Sequence, residues 1–160
     1  MIDNNTVVEV SRVTVEAAAG RTKLVTVPVD GGPVPMGMHG PVAEHYGVPL
    51  DTIEPHATTL DYVVGATTAC LTGTLSGMLA KLGQPTTDGA LTAEGEGTIV
   101  KDGGVLRIAA IHVRYRVRLA EDVNPAEVAR AHDRHTRHCP IARTISGCVE
   151  ITTDLELAEA

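Results

Sequence analysis

The uncharged stretch from Tyr62 to Ala80 is the feature that most constrains the fold. The chain has no Phe or Trp and only three Tyr among 160 residues, so its core must come mainly from aliphatic side chains. The leucines and the methionine of this region recur at helical spacing, at Leu71, Leu75, Met78, Leu79 and Leu82. The pattern predicts one long helix over Thr58–Leu82, ended by Gly83 and Pro85.

A membrane span is the alternative interpretation of the same stretch, because it is nearly long enough to cross a bilayer. However, five Ser or Thr and three Gly weaken its hydropathy, and the charged residues Asp61 and Lys81 bracket it closely. We therefore predict a buried central helix and no membrane partner.

Small residues recur every four positions along this helix, at Gly65, Ala69, Gly73 and Gly77, and Cys70 lies beside them. Residues four apart share a helix face, and small side chains there let another backbone approach closely. Such a stripe is more often a packing surface than a functional one.

The remaining pattern predicts an α+β fold in a single domain over residues 1–160. Two β-hairpins are expected, one on each side of the long helix, and the loop before that helix is punctuated by Gly and Pro. The predicted elements are a strand Thr6–Val15, a turn near Gly20, a strand Lys23–Val29, a loop Asp30–His56 with a short helix near Val42–Tyr46, strands Ala90–Val100 and Val105–Leu119, a helix from the cap Asn124 to about His135, a short helix after Cys139, and a strand Val149–Leu157.

The net charge of the chain indicates which classes of binding partner are unfavourable. Asp and Glu number 20 against 13 Lys and Arg, which gives a formal charge of −7. That excess argues against nucleic acid or an anionic membrane surface as the main partner. The N-terminal MIDNNTVVEV has no secretion signal pattern, and three cysteines do not resemble a secreted disulfide framework, so we expect a cytoplasmic protein.

The segment HTRHCPIART, His135 to Thr144, contains a cysteine, Cys139, that could be chemically reactive. Pro140 favours the first position of a helix, which places Cys139 at the cap. The helix dipole and the nearby Arg134, Arg137, His138 and Arg143 would lower a thiol pKa there. On local grounds Cys139 is either a reactive thiol or a small buried cap residue.

The histidines allow a metal hypothesis as well. His132, His135 and His138 are closely spaced beside Cys139, but the segment contains neither an HExxH motif nor a Cys-x-x-Cys pair. A solvated basic helix face is the simpler interpretation.

The other two cysteines look less reactive. Cys70 lies in the middle of an apolar helix, where burial would raise its pKa. Cys148 opens the last strand with no obvious activating group, and we interpret it as structural.

Two segments taken together resemble the OsmC/Ohr family. GATTACLTGTL is similar to the helix that carries the family's first cysteine, and HCPIARTISGCVEIT is similar to its second-cysteine segment. The order of elements also resembles that family over most of the chain.

The resemblance implies an OsmC-like intertwined homodimer that reduces organic hydroperoxides with a cysteine pair and without metal, haem, flavin or other cofactor. It implies that Cys70 is the peroxidatic thiol, oxidised to a sulfenic acid, and that Cys139 resolves it as a disulfide. A dithiol such as a dihydrolipoyl protein would then reduce the disulfide. The histidines near Cys139 become surface residues close to a redox cysteine.

The family also uses an arginine to stabilise the first thiolate. In the Ohr branch it lies in a glycine-arginine turn after the first strand, which Gly20-Arg21 resembles, so Arg21 is the candidate. That branch carries a glutamate ten residues before the first cysteine, where this chain has Leu60. The neighbouring Asp61 could replace it only if the helix is rotated or begins differently, and the loop offers other partners for the arginine, namely Glu44, Glu54, His39, His45 and His56.

Two rival functions follow from the same residues. The missing glutamate favours a non-catalytic OsmC-like dimer whose apolar cleft binds a small hydrophobic ligand. The histidine cluster favours a metal site.

Overall fold

The protein is described from a computed structural model that covers residues 6–29 and 31–158. The chain divides into two compact units, Met1–Thr59 and Leu60–Ala160, and each is described by itself. The elements are β1 (Thr14–Ala17), β2 (Lys23–Thr26), β3 (Val34–Met36), α1 (Gly40–His45), α2 (Thr59–Ala80), β4 (Leu91–Asp102), β5 (Val105–Arg118), α3 (Pro125–His135), α4 (Pro140–Ile145) and β6 (Glu150–Ala158). The predicted α+β class is confirmed, and the single domain stays a prediction.

The first unit holds a small antiparallel sheet in the order β1-β2-β3. The predicted hairpin exists, but its first strand covers only Thr14–Ala17 instead of Thr6–Val15. Pairing begins at Thr14, opposite Thr26. A β-branched run therefore becomes a strand only where a partner strand satisfies its backbone groups.

Sequence analysis missed β3, which lies in the predicted loop. The strand is three residues long and contains Pro35, which cannot donate to a ladder. An edge position tolerates such a residue, because β3 pairs with β2 alone. The short helix predicted near Val42–Tyr46 is α1, and a further 3-10 turn covers Leu50–Thr52.

The second unit is built on the sheet β4-β5-β6. β4 and β5 are antiparallel and turn in the sequence KDGG, Lys101–Gly104, where Gly103 and Gly104 have φ angles of 56° and 89° that suit glycine. The hairpin predicted after the long helix is therefore confirmed. β6 pairs parallel to β5, which makes α3 and α4 part of the crossover between the two strands.

The inward face of β5 forms much of the core of this unit. Ile111, Val113, Tyr115 and Val117 are buried, as the alternating pattern predicts, and the arginines between them are exposed. Leu71, Leu75 and Leu79 of α2 belong to the same hydrophobic cluster and have no exposed surface.

Helix α2 approaches strand β4 very closely. A Cβ added at Gly95 would lie 2.0 Å from the Thr68 hydroxyl oxygen, and one added at Gly97 would lie 2.4 Å from a Val64 methyl. Both distances are far shorter than a van der Waals contact. The two glycines thus allow the helix to pack directly over the strand.

The opposite face of α2 is exposed in the protomer. Gly65, Ala69, Gly73 and Gly77 all lie on it, together with Tyr62 and Val63. Among the described residues, α2 is long and apolar enough to cross a membrane by length and composition, and 22% of its apolar stretch is buried. The core helix of a soluble protein can have the same length and composition, and here the burial predicted for the central helix holds for its leucine face alone.

The close approach at Gly95 leads to a prediction. We expect Gly95→Ala to destabilise the fold by about 1–3 kcal/mol, because the new methyl group must displace Thr68 and the helix behind it. The matched control is Gly147→Ala, where an added Cβ meets nothing within 4 Å and φ is not positive. Urea unfolding of both variants measures the difference, and equal stabilities would contradict the close packing of α2 on β4.

Candidate functional site

Cys139 lies at the junction between α3 and α4. After α3 ends at His135, a 3-10 turn covers Thr136–His138, and Cys139 caps α4 with Pro140 in its first turn. Its Sγ accepts a hydrogen bond from the N–H of Ala142 at 3.5 Å, and the residue has no exposed surface. The predicted cap position is confirmed, and it belongs to a buried thiol.

Cys70 meets Cys139 from the middle of α2. It is half-buried, both thiols are free, and the two side chains are joined by a hydrogen bond. They are 69 positions apart in the sequence and approach because α2 packs on the core beside the α3–α4 junction. The two cysteines named from the resemblance therefore stand next to each other in one protomer, and their roles stay predictions.

Burial raises the pKa of the Cys139 thiol above its ordinary value. The Ala142 N–H lowers that pKa and the neighbouring Cys70 raises it again, but burial is the largest cause. Of the two alternatives that the sequence left open for Cys139, the structure agrees with the buried cap residue. Desolvation of the buried thiolate outweighs the N–H groups of Ala142 and Ile141, which lower the thiol pKa.

A buried tyrosine–histidine pair stands beside the two thiols, and sequence analysis missed it. The Tyr115 hydroxyl lies 3.1 Å from His135 Nε2, and both residues are almost completely buried. Burial raises the pKa of Tyr115; Thr72, two residues beyond Cys70 on α2, lowers it; and a charge on Cys139 raises it further. Alternation in β5 pointed Tyr115 inward, but nothing in the sequence named its partner.

His135 also corrects the interpretation of the local histidines as surface residues. Its ring has no exposed surface and stacks on His132, with ring centroids 5.2 Å apart, whereas His138 is exposed. His132 Nε2 is buried without a hydrogen-bond partner. The apolar face of α3 carries both rings inward, which the basic character of the segment concealed.

Burial lowers the pKa of both buried histidines below the ordinary value. For His135, the contact with the His132 carbonyl opposes the shift and a charge on His132 adds to it. For His132, Asp133 and Asp154 oppose the shift. Within residues 6–29 and 31–158, no group of three or more His, Cys, Asp or Glu side chains is arranged to hold a metal ion.

Arg21 belongs to the first unit. It ends the 3-10 turn Ala19–Arg21, with Gly20 and Arg21 both in the left-handed region at φ 64°. Non-glycine residues seldom adopt that conformation, so the turn holds the exposed arginine in an unusual backbone geometry. Its role as the activating arginine stays a prediction.

Asp61 and Cys70 lie on opposite sides of α2. Nine residues at 100° each amount to two and a half helical turns, and Asp61 lines an open groove between α2 and β4 with Val64, Gly65 and Thr68. The groove has a volume of about 700 Å³. The role of Asp61 also stays a prediction, and the geometry of a single protomer does not favour it.

Cys148 is exposed, and its Sγ donates a hydrogen bond to the Ile145 carbonyl at 3.2 Å. Its side chain therefore caps the end of α4, in keeping with the structural role expected for it.

The lowered histidine pKa values predict that the fold weakens in mild acid. The unfolded state binds protons near pH 6.5 while His132 and His135 in the fold still resist them. Their contribution to stability is thus complete above about pH 6.5 and is lost as the pH falls through the lower folded pKa values. Urea unfolding at pH 7.5 and 5.5 should show a smaller loss in His135→Gln than in the parent. The exposed control His138→Gln should follow the parent, and equal losses in all three proteins would contradict the assignment.

Comparisons with known proteins identify the family and related folds. A family model described as OsmC-like protein matches residues 54–154. No curated protein matches the chain. An OsmC-like protein from Mycoplasma pneumoniae is similar in structure, with a TM-score of 0.72, 13% identity, and coverage of 95% of this chain and 99% of that one.

Two further structures are similar over nearly their whole length. The organic hydroperoxide resistance protein OhrB of Bacillus subtilis has a TM-score of 0.65 and 15% identity, with 94% of this chain and 100% of that chain covered. An organic hydroperoxide resistance protein OsmC from Legionella pneumophila has a TM-score of 0.64 and 11% identity, with 94% and 99% covered. Identities this low carry the fold alone, and the match of the family model over residues 54–154 places the chain in the OsmC-like family.

Proposed function

We propose that this protein is a thiol-dependent peroxidase that reduces organic hydroperoxides through Cys70 and Cys139. The observation that carries the proposal is the hydrogen-bonded pair of free thiols at the crossing of α2 and the α3–α4 junction. The similarity to hydroperoxide resistance proteins supports the same class of substrate.

The chemistry needs two steps. The Cys70 thiolate attacks the peroxide, the O–O bond breaks, the sulfur becomes a sulfenic acid and the alkoxide leaves as an alcohol after taking a proton. Cys139 then attacks the Cys70 sulfur, a disulfide forms, and the hydroxyl group leaves as water. A dithiol, such as a dihydrolipoyl protein, returns the pair to its reduced state.

Exposure decides which thiol reacts first. Cys139 has no exposed surface, so a peroxide cannot reach it, and burial disfavours its thiolate. Cys70 is half-buried and therefore reachable. The order that the resemblance implied, with Cys70 as the attacking thiol and Cys139 as the resolving one, thus has a physical basis in this chain.

The positive charge that would stabilise the Cys70 thiolate is assigned to Arg21. The turn Gly20-Arg21 projects an exposed guanidinium from the first unit, and the left-handed backbone at Arg21 restricts its directions. Asp61 remains the proposed carboxylate partner of Arg21. We expect it to come from the second protomer of a dimer, because it faces away from Cys70 on its own helix.

We further propose a homodimer in which α2 packs against a second copy. The small-residue face of α2 is exposed, and an added Cβ at Gly65, Gly73 or Gly77 meets nothing within 4 Å of the same chain. That face is apolar as well, with Tyr62 and Val63 exposed. An exposed apolar strip on a helix of this length is typical of an interface.

The dimer proposal predicts the effect of a bulky residue on this face. Gly73→Leu should fit the isolated protomer, where the site is open, but should block close approach of a second helix and shift the protein to monomer. Sedimentation equilibrium at micromolar concentration measures the shift, with Gly147→Leu as the exposed control. A parent protein that is monomeric, or a Gly73→Leu variant that remains dimeric, would contradict the proposal.

The peroxidase proposal predicts the result of a direct titration. One equivalent of a small alkyl hydroperoxide should remove two hydrogens from the intact mass of the reduced protein, and the disulfide should map to Cys70 and Cys139. Cys70→Ser should lose turnover with a dithiol present, because no sulfenic acid can form at the exposed position.

Cys148→Ser is the matched control for the titration, since Cys148 is exposed and is not joined to the thiol pair. It should turn over peroxide at the parental rate. If Cys70→Ser keeps parental turnover, the mechanism is wrong. A retained hydrophobic ligand in native mass spectra, with no turnover in the parent, would favour the non-catalytic binding module.

A further inference from the structure

Tyr115 joins both cysteine-bearing segments from the strand between them. On one side its hydroxyl is close enough to Thr72, two residues after Cys70 on α2, for that side chain to lower its pKa. On the other side its hydroxyl lies 3.1 Å from His135 Nε2, four residues before Cys139. Both Tyr115 and His135 are buried in the core, at 2% and 0% exposure.

The hydrogen-bond partners of His135 fix its tautomer. Its Nδ1 lies 2.5 Å from the backbone oxygen of His132, and a carbonyl can only accept, so Nδ1 carries the proton. In the neutral ring Nε2 then has a lone pair and accepts from the Tyr115 hydroxyl. A proton added to Nε2 would reverse this hydrogen bond, so that the ring donates and the Tyr115 oxygen accepts, and it would place a charge in the buried core between β5 and the end of α3.

We propose that Tyr115 and His135 are positioning residues that hold the α3–α4 junction against α2 so that Cys139 can resolve oxidised Cys70. The inference rests on the proposed peroxidase function and adds residues that act through Cys139 without touching the peroxide. In the step they support, the Cys139 thiol attacks the Cys70 sulfenic acid. The S–S bond forms, the S–O bond breaks, and the thiol proton leaves with the hydroxyl group as water.

The α3–α4 junction must be held in place because Cys139 is buried there. A buried thiol that caps a six-residue helix has little freedom to search for its partner. A sulfenic acid that is not resolved promptly reacts with a second peroxide and becomes a sulfinic acid, which the dithiol does not rescue. The rate of resolution therefore decides whether Cys70 is recycled or is irreversibly overoxidised. That rate depends on how Cys139 is positioned relative to Cys70.

The Tyr115–His135 contact also predicts that the rate of resolution by Cys139 depends on pH. The groups that contact His135 are Tyr115 from β5 and His132 from α3, and Cys139 acts electrostatically on Tyr115. Asp133 and Asp154 raise the pKa of His132. Within this set, protonation of His135 in acid reverses the Tyr115 hydrogen bond and places a charged ring in the buried core, so resolution slows more steeply in acid than thiol ionisation alone requires.

The test is a single-turnover experiment with cumene hydroperoxide as the probe, between pH 5.5 and 8. Quenching with dimedone counts the Cys70 sulfenic acid, and intact mass counts the disulfide and the sulfinic acid. In Tyr115→Phe the ring is kept and the hydroxyl is lost, and we expect disulfide formation about tenfold slower, with sulfinic acid accumulating under excess peroxide.

Two further variants separate positioning from general stability. His135→Gln keeps an acceptor for Tyr115 and a donor for the His132 carbonyl, so resolution should stay within about threefold of the parent and lose its steep acid limb. Val117→Ala removes buried volume from the same face of β5, so it should lower stability and leave the ratio of disulfide to sulfinic acid unchanged.

The outcomes are distinguishable. If the parent reacts with the peroxide but Tyr115→Phe forms the disulfide at the parental rate and with the parental pH profile, the inference is wrong and the proposed function stands. The inference is also wrong if Val117→Ala slows resolution as much as Tyr115→Phe does. If Cys70 in the parent does not react with the peroxide, the proposed function fails, and the inference fails with it.

Discussion

The packing of α2 against β4 is the constraint on which the candidate site depends. Gly95 and Gly97 remove the side chains that would otherwise stand between helix and strand, and Leu71, Leu75 and Leu79 are buried on the neighbouring face. Cys70 occupies a position on that helix between the buried and exposed faces. A helix held at this distance presents a half-buried thiol directly to Cys139, which no local sequence signal could arrange.

The site contains two effects that oppose each other at Cys139. The N–H groups of Ala142 and Ile141 at the helix start favour a thiolate, whereas complete burial disfavours it. Burial is the larger effect, and the Ala142 N–H lies 3.5 Å from the Cys139 sulfur. In the proposed mechanism, the same burial keeps peroxide away from Cys139 and leaves Cys70 as the accessible thiol, so burial that is unfavourable for a nucleophile suits the resolving role proposed for Cys139.

Sequence analysis succeeded where the signal was local. The hydrophobic spacing predicted α2, the Asn124-Pro125 pair predicted the start of α3, and the KDGG turn predicted the β4–β5 hairpin. The asparagine indeed accepts from the Ala126 N–H at 2.9 Å. These features depend on caps, turns and periodicity, which a few neighbouring residues determine.

Sequence analysis failed where the outcome depends on tertiary partners. Thr6–Val15 became a strand only over its last residues because β2 is short, and the Tyr115–His135 contact joins residues on different elements. The pKa of Cys139 could not be predicted from its neighbours, since its burial comes from the packing of the whole unit. The fold class could thus be predicted from the sequence pattern and the cysteine pair from the family resemblance, whereas the burial and contacts of each thiol could not.

The central claim is the order of the two thiols, and dimedone trapping in two single variants tests it most directly. In Cys139→Ser, hydroperoxide followed by dimedone should label Cys70, because its sulfenic acid forms and has no resolving partner. In Cys70→Ser, Cys139 should stay unlabelled on the same timescale, because it is buried and its thiolate is disfavoured. Rapid labelling of Cys139 in Cys70→Ser, with little labelling of Cys70 in Cys139→Ser, would contradict the account.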